Sequence, residues 1–184
     1  ALTKTPVCDF GKKAEDFKLK SISNKVITLS DVRGKNATLI MFICNHCPYV
    51  KAIIKDLAKD CNELKKEGIN SVAIMSNDTK NYPDDSFDNM IKFAEKNNFG
   101  EINYLFDETQ EIAEKYGAVC TPDFFGYNKD LKLQYRGRFR ELKDLKPVNS
   151  GDSDLKVAMK MVAQTQKGPD QQTPSMGCNI KWFN

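Results

Sequence analysis

Cys44 and Cys47 stand three residues apart in Cys44-Asn45-His46-Cys47-Pro48, with the chain's only histidine between them. Two sulfurs at that spacing at a helix start can close a small disulfide and work as a reversible two-electron couple. A helix start presents unpaired N–H groups and the positive end of the macrodipole, both of which favour thiolate over thiol. In such a setting a cysteine pKa falls from about 8.5 to roughly 3.5–7.5, and the thiolate is the nucleophile. Pro48 fits the first helical turn, where its missing N–H would have had no partner. His46, when protonated, adds positive charge near Cys44, which stabilises the reduced thiolate and raises the reduction potential. A structural zinc site would require four ligands, usually with a second close pair. Cys8, Cys61, Cys120 and Cys178 are single and widely spaced, so neither a metal nor another cofactor is expected.

A strand must deliver these cysteines and a helix must receive them. Ala37 to Ile43 is a continuous apolar run directly before Cys44, the pattern of a strand buried on both faces. Val50, Ile53, Ile54, Leu57, Cys61 and Leu64 then form one helical stripe that stops at Gly68, and Cys61 reads as core. Ser71–Met75 is the next buried strand, Phe87–Ala94 a helix entered through Asp85 and Ser86 as caps, Tyr104–Phe106 a strand and Glu111–Tyr116 a short helix. Phe124–Tyr127 and Leu131–Tyr135 flank the turn Asn128-Lys129-Asp130, and a helix over Leu155–Ala163 follows. Asp16–Lys20 and Val26–Leu29 predict an N-terminal hairpin, whereas residues 169–184 read as an irregular tail. This order predicts a three-layer α/β sandwich built from βαβ units. Active sites of open α/β sheets lie at the carboxyl ends of strands, where both the cysteine pair and Asn77-Asp78-Thr79 fall.

The 184 residues make one domain, residues 1–184, with 28 Lys and Arg against 25 Asp and Glu and a net charge of +3. That balance argues against a nucleic-acid or membrane-surface partner, and no apolar run nears the roughly 18 residues of a membrane span. The first residues carry no secretory pattern, so the cytoplasm is the expected compartment, where such a disulfide is transient and catalytic.

The pair, together with Cys120-Thr121-Pro122, Glu15-Asp16-Phe17, Ile27–Asp31 and Gly34-Lys35, resembles the thioredoxin superfamily. Cys44 to Val50, Cys120 to Phe125, Tyr135 to Arg138 and Gly177 to Trp182 resemble, more narrowly, bacterial peroxiredoxin-like redoxins of AhpC/TSA type. The resemblance implies a thioredoxin-like fold, a Thr121–Pro122 cis bond that lies against the cysteines and helps bind extended substrate, and Cys120 near Cys44. It offers Arg136 or Arg138 as an active-site arginine. Cys178 on the tail is a further redox candidate. The implied activity is a thiol–disulfide oxidoreductase with Cys44 attacking and Cys47 resolving. The alternative is an antioxidant thiol peroxidase with Cys47 attacking a peroxide and passing through a sulfenic acid. Aligning Cys47 with a peroxidatic cysteine puts Cys44 and Ile40 where peroxiredoxins carry threonine and proline, which favours the first mechanism. A non-catalytic binding module is the reading from a different class. Implied partners are a protein or small-molecule disulfide, or a hydroperoxide, and a cellular thiol reductant.

Overall fold

In the computed structural model, which describes residues 1–184, the first residues form a strand that the sequence does not announce, Leu2–Lys4 (β1). The expected hairpin follows, with Lys18–Ser21 (β2) antiparallel to Val26–Thr28 (β3). Thr28 caps the short helix Leu29–Val32 (α1) in a reciprocal capping box with Asp31, satisfying N–H groups that a helix start leaves free.

Ala37–Phe42 (β4) is buried at every position. Its alternate side chains divide between two cores: Leu39 and Met41 enter one, Ile40 and Phe42 the other. A continuous apolar run is what a central strand between two helical layers requires. The stripe after Pro48 is two helices rather than one, Pro48–Lys51 (α2) and Ile54–Lys65 (α3). The helical period runs through the break at Ala52 and Ile53 because Val50, Ile54 and Leu57 all enter the same core.

Ile69–Met75 (β5) lies parallel to β4. A single 3-10 turn, Pro83–Asp85, leads into Phe87–Lys96 (α4), whose cap is Ser86. Asn103–Phe106 (β6), Glu111–Tyr116 (α5) and the two-residue strand Cys120–Thr121 (β7) come next. The Thr121–Pro122 bond is cis, as expected. Asp123–Asn128 (β8) and Leu133–Tyr135 (β9) form the second hairpin, with β8 antiparallel to β4. Leu142–Lys143 (β10) and Lys146–Pro147 (β11) make a small surface ladder before Asp154–Thr165 (α6).

The main sheet runs β3-β2-β6-β5-β4-β8-β9. Residues of α2, α3, α4 and α6 share the core on one face, and those of α1 and α5 the core on the other. The result is the three-layer α/β sandwich of thioredoxin type. No helix is long and apolar enough to cross a membrane.

The tail departs from the expectation in one stretch. It is irregular on either side of Met176–Asn179 (β12), but that stretch is a strand between β1 and β7. Gly177 permits the approach, because a Cβ there would lie 1.9 Å from the Thr121 carbonyl oxygen. Polar residues with no alternation conceal such a strand, since its only partners come from distant parts of the chain.

Candidate active site

The cysteine pair lies where β4 gives way to α2. Ile43 still donates to Ile74 in the sheet, the chain then turns through Cys44, Asn45 and His46, and Cys47 is the N-cap residue with Pro48 at the first helical position. Both sulfurs belong to the core cluster under α2 and α3, with Cys44 1% and Cys47 0% exposed. Thr121, at the cis bond, meets both. Its hydroxyl is 3.5 Å from the Cys44 sulfur, and its carbonyl oxygen is 3.3 Å from the Cys47 sulfur. Cys44, Cys47, Thr121 and Pro122 are thus brought together as expected.

The two sulfurs divide their protons unequally. A hydrogen bond from the Cys44 thiol holds Cys47 below the ordinary thiol range. Burial works against that, while the Cys178 backbone N–H, the Thr121 hydroxyl and the Val50 N–H work with it. The same hydrogen bond pushes the free Cys44 thiol up, helped by burial and the nearby Asp85 charge. Cys47 is thus shifted toward thiolate and Cys44 away from it, the opposite order to the one the sequence favours.

His46 is held by Asp85 with a ring nitrogen within 4.8 Å of the Cys44 sulfur. Its Nδ1 lies 2.6 Å from Asp85 Oδ2, its ring stacks on Tyr82 with centroids 5.8 Å apart, and Asp85 raises its pKa. Asp85 is fully buried and also accepts the Asn45 N–H at 2.8 Å and the Asn77 amide at 3.0 Å. Tyr104 donates to the Asn45 side chain at 2.7 Å. Sequence reasoning reads Asp85 as a helix cap. In the structure Ser86 does the capping, while Asp85 fixes the loop that carries the cysteines. Nothing in the pattern Pro83-Asp84-Asp85-Ser86 separates those two tasks. Asn77 does line this region, accepting Lys181 N–H at 2.9 Å and so tying the loop to the tail.

Donor atoms of Cys44, His46 and Asp85 lie within 4.8 Å of one another. The carboxylate is already engaged by Asn45, Asn77 and His46, which accounts for the cluster as loop-fixing contacts. The remaining candidates sort by burial. Cys120 is fully buried, its thiol donates to the Pro122 carbonyl at 3.5 Å, and burial pushes its pKa up. Cys61 is buried among core residues, its pKa pushed up to about 12. Cys178 is half-buried on β12, opposite Thr121 in register, and packs against the core cluster that holds both sulfurs.

Neither arginine is aimed at the sulfurs. Arg136 makes a two-pronged ion pair with buried Asp123, at 2.9 and 3.2 Å, and lies over the Phe125 ring. Arg138 pairs with Asp154 at 2.6 Å. It also lines a cavity of about 420 Å³ beside Pro122, with Tyr49, Ile53, Phe139 and Met176.

A three-layer sandwich that carries a C-x-x-C at a helix start, against a cis-proline loop, defines a thioredoxin-fold thiol protein. The chain belongs to the AhpC/TSA family, whose model matches residues 10–136. It is 38% identical to an uncharacterized conserved protein from Geobacillus kaustophilus (TM-score 0.94, covering 100% of this chain and 97% of that one). It is 35% identical to a hypothetical protein from Sinorhizobium meliloti (TM-score 0.90, 98% of each chain). The fold alone is shared with a peroxidoxin from Mycobacterium tuberculosis, at 19% identity and TM-score 0.56 over 67% of this chain and 81% of that one. No curated protein matches the chain.

Proposed function

We propose that this protein is a thiol–disulfide oxidoreductase whose Cys44–Cys47 pair cycles between dithiol and disulfide. The observation that carries the reading is the placement of two free cysteines at the start of α2, both meeting Thr121 of the cis-proline loop. The downward shift of Cys47 and the upward shift of Cys44 agree with it. An acidic thiolate is both a ready nucleophile and a good leaving group, and an adjacent thiol completes the exchange. In this reading Cys47 forms the bond with the incoming sulfur and Cys44 displaces it, giving up its proton. His46, Asp85 and Asn45 position the loop, and Thr121 contacts both sulfurs.

Peroxide reduction by Cys47 is the second reading. It is favoured by the closure of the site, which a small oxidant passes more easily than a protein does. Against it stand the occupied Arg136 and Arg138 and the Cys44 in place of a threonine. Insulin reduction driven by dithiothreitol tests the first reading: wild type should precipitate insulin chains, Cys44→Ser and Cys47→Ser should not, and Cys61→Ser should match wild type. Rapid hydroperoxide turnover that survives Cys44→Ser with an external thiol, beside an insulin assay that stays clear, would overturn it in favour of the second.

A further inference from the structure

Cys44 and Cys47 are 1% and 0% exposed. Thiol–disulfide exchange needs the attacking sulfur to touch the one it attacks, so a sealed pair trades poorly with any bulky partner. A third sulfur, on the neighbouring strand, is more exposed than either. Cys178 is half-buried on β12 and lies opposite Thr121 in register, the residue that contacts both buried sulfurs. Side chains directly opposite in an antiparallel pair share a face, so Cys178 lies on the face where the Thr121 hydroxyl meets the Cys44 sulfur, and it packs against the core cluster that holds both cysteines of the pair. The strand that carries it is held on both sides, by β1 and β7, so the approach is built into the fold rather than made by a loose end.

Resting on the thiol–disulfide activity above, we propose that Cys178 is the exchange outlet of the buried pair, forming a transient Cys47–Cys178 disulfide that links it to outside thiols and disulfides. Reduction of the oxidised protein runs as follows. The Cys178 thiolate attacks the Cys47 sulfur, the Cys44–Cys47 bond breaks, and Cys44 leaves as a thiolate and takes up a proton. An external dithiol then attacks the Cys178 sulfur through one of its thiolates. Cys47 departs as the thiolate its surroundings favour, leaving a mixed disulfide between Cys178 and the donor. The donor's second thiolate displaces Cys178, which is reprotonated. The donor has become a disulfide, two electrons have entered the protein, and Cys44 and Cys47 are reduced. Each step reverses when the dithiol form meets a substrate disulfide. Cys120 takes no part, since its thiol is buried and turned to the Pro122 carbonyl.

Two measurements on the full chain decide the matter. Mild diamide oxidation of Cys44→Ser, followed by peptide mapping, should give a Cys47–Cys178 bridge. Oxidised Cys178→Ser and Cys178→Ala should keep the Cys44–Cys47 bridge and the wild-type melting temperature. Dithiothreitol should reduce that bridge at least about tenfold more slowly than in wild type. A wild-type reduction rate in both Cys178 variants, or no Cys47–Cys178 bridge in Cys44→Ser, would overturn the outlet while leaving the oxidoreductase reading intact. A wild type that never forms the Cys44–Cys47 bridge would sink both, and is seen separately in the same mapping.

Discussion

At the scale of single residues, the site turns on which sulfur carries the charge. Cys47 caps α2 and receives the Cys44 thiol, while Cys44 faces the negative Asp85. Ultraviolet thiolate absorbance of the reduced protein should therefore show one thiolate persisting well below the ordinary thiol range. Cys47→Ser should remove that signal, and Cys44→Ala should shift it upward, because the hydrogen bond that lowers Cys47 comes from Cys44 and alanine has no donor. A titration in which Cys47→Ser keeps the low-pH thiolate would assign the charge to Cys44 instead. The C-x-x-C spacing, the lone histidine and Thr121-Pro122 are all legible in the sequence, since each is a local pattern. Asp85 is not legible as the loop's anchor: its importance comes from complete burial and three partners, two of them from other segments.

Among the elements, β12 is the one that changes the site. It packs against α2, sets Cys178 opposite Thr121 and closes the edge of β7. Gly177 is the point of closest approach, with the Thr121 carbonyl oxygen 1.9 Å from where a Cβ would be. Gly177→Ala should force the strand outward, at a cost of roughly 1–3 kcal/mol typical of overpacking. Amide exchange over Met176–Ile180 should speed up, and Cys47 should become more reactive to iodoacetamide than in wild type. Unchanged exchange in this strand would mean that β12 does not rest on that contact. Most other elements are readable in advance from their periods. The continuous apolar run of β4 and the stripe shared by α2 and α3 come directly from which side chains meet a core. The break between those helices is not readable, because both pieces bury the same face.

For the molecule as a whole, the buried Asp85–His46 contact couples folding to pH. The partner raises the His46 pKa above its ordinary 6.5, so the folded form holds this proton more tightly than the unfolded chain does. The resulting stabilisation is complete below about pH 6.5 and is lost as pH rises through the elevated folded-state value. Urea midpoints of the disulfide-oxidised protein, in which Cys44 and Cys47 no longer titrate, should fall with pH across that window. His46→Asn should flatten the dependence, and a midpoint that rises across the window in wild type would contradict the assignment. The sequence alone determined the order of the central strands and helices, the cysteine pair at a helix start and the family likeness, because these rest on spacing along the chain. Tertiary structure alone decided that both sulfurs are buried against Thr121, that Asp85 anchors the loop, and that a tail strand sets Cys178 opposite Thr121. Each of those depends on burial or on contact between residues far apart in the chain, and no local pattern records either.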